Sequence, residues 1–460
     1  MKTVGSPPLT PPGRPPALVV LLLAAGCVGF DYQVTIEPTI DPNSVGSGVG
    51  TVAAGFRVPA GVSVDGENDL YVADSGNHVV RLVNGNSGSS RVVAGAVGER
   101  GLLDDARGED ARLFMPSGTA VHPDGSAVYI ADTNNNAIRR MSTSGDRAVD
   151  TLWAGYSSTP AELALYGAVN VTGLWGPTGL AVWSTAGGEE GEEADFALLI
   201  ADTENHRIVA LRPPAGGGTP WRLSLFAGTG SKDLLNGAAA TAAFRYPHGI
   251  AACLSGAQPE VLVADTGNNI IRRIRYHTAD PAAQDEESGW MVSTMAGDGS
   301  PGAEDSQTKR EKPKASVLIT TILSARFSLP EGVACDGEGG AVVADTLNQA
   351  VRLVTADGIT VTLAGGRGRG GADGSGGGAR FAEPAAIAFV PSKRRAYVVE
   401  RGNQKVRRVS VGDIDLVMQV DSDAPRGGRG GGAGSYALAG ALVTGAWWVL
   451  RGQRRVAMQC

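Results

Sequence analysis

LVADTGNNIIRRI, residues 262–274, decides how the rest of this chain is read. Apolar, largely β-branched residues on both sides of a Thr-Gly-Asn-Asn centre favour two strands joined by a tight turn. The same plan recurs as YVADSGNHVVRLV (71–83), YIADTNNNAIRRM (129–141), LIADTENHRIVAL (199–211), VVADTLNQAVRLV (342–354) and YVVERGNQKVRRV (397–409). Each copy has an acid, namely Asp74, Asp132, Asp202, Asp265, Asp345 or Glu400. Three residues later comes Asn77, Asn135, Asn205, Asn268, Asn348 or Asn403. Asp accepts hydrogen bonds from turn amides, and Asn tolerates left-handed backbone. These residues are therefore read as structural turn groups and not as repeated catalytic sites.

Two further phrases travel with the hairpin. A Pro-x-Gly phrase opens a short apolar strand before each copy: VPAGVSV (58–64), MPSGTAV (115–121), GPTGLAV (176–182), YPHGIAA (246–252), LPEGVAC (329–335) and EPAAIAF (383–389). Proline suits the first position of a strand because it has no amide to donate. A third phrase ends in Ala-Gly: TVAAG (51–55), RVVAG (91–95), TLWAG (151–155), SLFAG (224–228), STMAG (293–297) and VTLAG (361–365). Each unit thus supplies four antiparallel strands and cannot bury its faces alone. Radial stacking into a six-bladed, all-β propeller solves both the face problem and the edge problem. The Ala-Gly phrase at 51–55 has no hairpin before it, and the last unit has only its first three strands. The early strand is expected to complete the last blade. DIDLVMQV (413–420) competes for the same place.

In their fixed order these phrases resemble NHL repeats, over roughly residues 51–410. The Asn-His pair of the family stands intact as Asn77-His78 and Asn205-His206 and is altered in the other copies. The resemblance implies a rigid, monomeric propeller that acts mainly as a platform for a protein, glycan or small-ligand partner. Some relatives of this shape are enzymes. The peptide-amidating lyase uses a zinc held by several histidines, and related lactonases and esterases use calcium held by axial Asn, Asp and Glu.

Composition narrows the field. The chain has 460 residues, 66 of them Gly, and a net charge of −7, which points away from a nucleic-acid surface. Residues 1–30 end in the apolar run ALVVLLLAAGCVGF, shorter than a membrane span and suited to a signal peptide or signal anchor. LAAGC resembles a bacterial lipoprotein signal, which makes Cys27 a lipidation candidate, against an ordinary cleaved signal. Residues 31–50 form a linker and 51–420 the propeller; 421–435 are a Gly-rich linker. In 436–460, YALAGALVTGAWWVL is followed by a basic tail, the pattern of a membrane segment, although a buried or interfacial helix remains open. Asn170 heads a glycosylation sequon. Cys253 and Cys335 occupy matching places in neighbouring repeats; buried free thiols are expected, with a disulfide as the alternative. The location expected is extracytoplasmic, secreted or membrane-anchored.

The residue after Pro in the six opening phrases is Ala60, Ser117, Thr178, His248, Glu331 or Ala385. These are expected to ring one mouth of the central channel. His248 and Glu331 lie in adjacent blades and are the candidates for acid–base chemistry. His78 and His206 belong to the turns, and His122 and His277 to a turn and a loop, so no zinc set is expected. No cofactor is expected for a binding scaffold; the enzyme alternative would take calcium. GGRGRGGADGSGGGARF (365–381) is read as an inter-blade loop and not a phosphate cradle.

Overall fold

The computed structural model describes residues 33–38, 48–155, 173–184, 196–214, 220–253, 259–277, 289–309, 321–323, 325–411, 416–421 and 458–459. Cys27, Asn170, most of the amino-terminal segment and the apolar run at 436–450 lie outside them. Among the described residues, no helix is long and apolar enough to cross a membrane.

Six antiparallel sheets form the blades of a propeller. Blade one is Gly61–Val64, Asp69–Asp74, Val79–Asn84 and Ser90–Ala94. Blades two to five repeat this order, opening with Gly118–Val121, Pro177–Ser184, Pro247–Cys253 and Pro330–Cys335. Blade six consists of Pro384–Val390, Arg395–Glu400 and Lys405–Ser410. Its fourth strand is Gly48–Ala54, paired antiparallel with Lys405–Ser410 from Val49↔Val409 to Ala54↔Lys405. The early strand therefore fastens the ring shut. The competitor Leu416–Asp421 pairs instead with Gln33–Pro38, in a small separate sheet. Two-residue strands, Gly237–Ala238 and Gly374–Ser375, extend blades four and six beyond four strands.

The opening strands stand innermost, and each touches the next around the ring, with blade six meeting blade one. They approach closely because Pro-x-Gly removes a side chain where two backbones meet. A Cβ on Gly118 would lie 2.0 Å from the Thr178 carbonyl oxygen, and one on Gly249 would lie 2.4 Å from that of Glu331. The core sits between blades and not within them. Trp183, Leu199, Phe244 and Ile250 join blades three and four, and Phe56, Leu70, Tyr397 and Val406 join blades six and one. Burial of apolar area at these seams is the main stabilising term.

The expectation of free thiols is overturned. Cys253 and Cys335 form a disulfide, with Cα atoms 5.6 Å apart. Each ends the inner strand of its blade, so side-by-side packing of blades four and five brings the two sulfurs together. The bridge locks those strands at the end opposite the Pro-x-Gly starts.

Candidate functional site: the channel mouth

The hairpin turns of blades one to four are single 3-10 turns and those of blades five and six are plain turns, and each acid is held inside its own blade. Asp265 Oδ1 accepts the Arg245 amide at 2.8 Å, while Oδ2 accepts Asn268 Nδ2 at 3.0 Å and Arg272 Nη1 at 2.8 Å. Asp132 and Asp345 make the same set with Phe114, Asn135 and Arg139, and with Ser328, Asn348 and Arg352. Asp202 receives Trp175, Asn205 and Arg207, and Glu400 receives Ala382, Asn403 and Arg407. Asp74 holds Arg57 and Asn77 closely, but its Arg81 partner stands off at 3.5 Å. Burial pushes the Asp345 carboxyl up to about 6 against the pull of Arg352. The left-handed residue of each turn is not the asparagine but the one after it, as at His78 (φ 63°), His206 (φ 53°) and Gln349 (φ 54°). The asparagine has a different task, to donate to the acid.

The arginine seven residues after the acid and the apolar residue three before the proline went unread in the sequence. Both signals were present. Phe56, Leu113, Leu174, Phe244, Phe327 and Phe381 precede the six prolines and are all buried. Arg272, Arg352 and Arg407 lie over the Phe244, Phe327 and Phe381 rings at 4.9, 5.1 and 5.3 Å.

A second motif links blade to blade. The residue after the acid is Ser or Thr in five blades, and its hydroxyl donates to the proline carbonyl of the next blade. The pairs are Ser75–Pro116, Thr133–Pro177 at 2.8 Å, Thr203–Pro247 at 2.7 Å, Thr266–Pro330 at 2.6 Å and Thr346–Pro384 at 2.8 Å. In blade six this residue is Arg401, which has no hydroxyl. Arg401 turns back to the neighbouring blade five. Its Nη1 donates to Glu331 Oε1 at 3.1 Å, and Nη2 contacts Oε2. The Pro-x-Gly glycine is also missing there, replaced by Ala386.

Ala60, Ser117, Thr178, His248, Glu331 and Ala385 all line one central cavity of about 370 Å³, together with Arg401. His248 Nδ1 lies 3.9 Å from Glu331 Oε2, too far for a direct hydrogen bond. Its side chain is 32% exposed and lines that cavity. Burial, and then the charge of Arg401, lowers the His248 pKa to about 4, so the imidazole is neutral at pH 7. The hydroxyls nearby are occupied: Thr178 bonds Thr203 and the His248 carbonyl, and Ser117 bonds Thr133. Among the described residues, no three of His, Cys, Asp and Glu converge on a metal position.

Val58 and Met115, which also line the cavity, are two of the six residues that precede the prolines. All six are left-handed: Val58 (φ 47°), Met115 (φ 50°), Gly176 (φ 57°), Tyr246 (φ 48°), Leu329 (φ 45°) and Glu383 (φ 53°). Side chains in this conformation are strained, most of all β-branched Val58. Val58, Met115 and Leu329 are also exposed, with Trp175 beside them.

The NHL repeat family model matches residues 56–81, the opening strand and hairpin of blade one. The first blade of this six-bladed β-propeller thus carries an NHL repeat. The chain is 34% identical to human NHL repeat-containing protein 2 over 95 residues, 20% of this chain and 13% of that protein. It is 25% identical to the chloroplastic protein SUPPRESSOR OF QUENCHING 1 of Arabidopsis thaliana over 383 residues, 80% of this chain. It spans 31% of the length of that plant protein. Among solved structures it is similar to a structural genomics protein of unknown function from Bacteroides thetaiotaomicron. That match has a TM-score of 0.51 at 15% identity and covers 83% of this chain and 76% of the other. At that identity the likeness is one of fold.

Proposed function

We propose that this propeller is an extracytoplasmic binding protein, secreted or tethered at a membrane, that takes its ligand at the mouth of the central channel. The observation that carries the reading is one asymmetric polar corner, His248, Glu331 and Arg401, in a channel otherwise lined mainly by small and apolar residues. A rigid scaffold that presents a few convergent polar groups in an apolar concavity is the usual build of a ligand site. Strained backbone at Val58 and Met115, which line the same cavity, supports it. The Cys253–Cys335 bridge and the apolar run at 17–30 support export, because disulfides persist in oxidising compartments.

Two measurements test this. Alkylation of intact cells, with and without reductant, should find Cys253 and Cys335 modified only after reduction; free thiols without reductant would count against export. Thr178→Trp, which fills the mouth, should abolish ligand binding while leaving the fold intact. The second reading, a lactonase- or esterase-like hydrolase, is favoured by a neutral imidazole beside a carboxylate. It predicts ester or lactone turnover that falls at least a hundredfold in His248→Gln, the usual scale of a general base.

A further inference from the structure

We propose that the corner formed by His248, Glu331 and Arg401 recognises a neutral polyhydroxylated small molecule, a sugar or polyol, and that Arg401 is its specificity-determining residue. The inference rests on reading the channel mouth as a binding site.

Arg401 is the starting point. It occupies the place where the other blades carry the hydroxyl that ties one blade to the next. An arginine there gives up that tie at the blade-six to blade-one seam. What it gains is a two-pronged contact with Glu331 inside the channel. The residue is thus turned from the seam toward the cavity.

The chemistry of the corner then selects its ligand. One guanidinium, one carboxylate and one neutral imidazole sum to no net charge. Glu331 is 11% exposed and held by Arg401. A ligand bringing its own carboxylate or phosphate would have to take Arg401 from Glu331 and leave that carboxylate buried and unpaired, which is costly. A cationic ligand would have to approach Arg401. A hydroxyl faces neither penalty. It can donate to a remaining Glu331 lone pair and accept from an outward Arg401 N–H, since a carboxylate has about four acceptor sites and a guanidinium five donors. The 3.9 Å gap leaves His248 and Glu331 unbonded to each other, so the imidazole keeps capacity for a ligand hydroxyl. Several such groups converging within a few ångströms suit a molecule with adjacent hydroxyls. The apolar lining supplied by Met115, Leu180 and Ile250 suits its C–H faces. The cavity of about 370 Å³ is of small-ligand size.

The test uses the full-length, disulfide-bonded protein with ¹⁵N-histidine labelling. The chain has five histidines, and His248→Gln assigns the resonance of interest. Glucose, galactose, maltose and inositol are titrated against glycine, glutamate and succinate. The expected result is a saturable shift of the His248 signal by at least one neutral polyol, with the turn residue His206 unmoved. Affinity should fall at least tenfold in the charge-balanced variant Glu331→Gln with Arg401→Thr, which removes the pair without stranding a charge. If glycine, glutamate or succinate saturates the signal and the polyols do not, the ligand class is wrong and the binding reading survives. If nothing in the panel moves His248, both fall.

Discussion

Five seams between blades are built alike, and the sixth is not. At the five, a Ser or Thr hydroxyl crosses to the next proline carbonyl, and a glycine lets the inner backbones meet. At the seam from blade six to blade one, Arg401 and Ala386 stand in those places, and the ring is held instead by Gly48–Ala54 pairing with Lys405–Ser410. The difference teaches that the strand supplied from the other end of the chain relieves that seam of part of its mechanical duty. Arg401 is then available to the channel.

The comparison can be broken at several levels. The turn network is common to all blades and should give the largest effect. Asp265→Ala strands the buried Arg272 guanidinium and should destabilise by about 3–5 kcal/mol in denaturant unfolding. Asp74→Ala should cost less, because Arg81 is farther away and partly exposed. Equal losses would mean that the turns are not graded as described. Next is the covalent seam between blades four and five. Cys253→Ser with Cys335→Ser opens an 82-residue loop and should cost roughly 2–4 kcal/mol. No change in melting temperature between oxidised and reduced protein would contradict the bridge.

The hydroxyl ties come third. Thr266→Val leaves the buried Pro330 carbonyl without its donor and should cost about 1–3 kcal/mol. A neutral result would remove the contrast between the five seams and the sixth. The last effect, the smallest per pH unit, is in the acid limb of stability. Folded His248 titrates near 4 and the unfolded imidazole near 6.5, so below 6.5 the unfolded state binds more protons. Stability is therefore full above about pH 6.5 and falls as the pH drops toward 4, by at most about 1.4 kcal/mol per pH unit from this group. His248→Gln should flatten that slope; an unchanged slope would place the imidazole in water.

Much of this was legible in the chain. Three recurring phrases, each with its own turn chemistry, specify strands and their order and favour the closing partner, because they return in the same order in every unit. The ring of Ala60, Ser117, Thr178, His248, Glu331 and Ala385 was legible for the same reason: one position per repeat maps to one circle. The disulfide was not, since pairing depends on the distance between adjacent blades and not on spacing in sequence. Arg401 was hidden in plain view. Only when the hydroxyls of Ser75, Thr133, Thr203, Thr266 and Thr346 are seen crossing to the next blade does an arginine at the equivalent place become an exception. The Phe-over-Arg contacts escaped because their members come from separate phrases.

The account stands most directly on the unfolding free energy of the paired variant Glu331→Gln with Arg401→Thr. If Arg401 serves the channel and not the seam, the variant regains a hydroxyl in the sixth position and should unfold within about 1 kcal/mol of the parent. A loss of about 3 kcal/mol or more would show that the ion pair is a structural clasp across the ring, and the functional reading of the corner would fail with it.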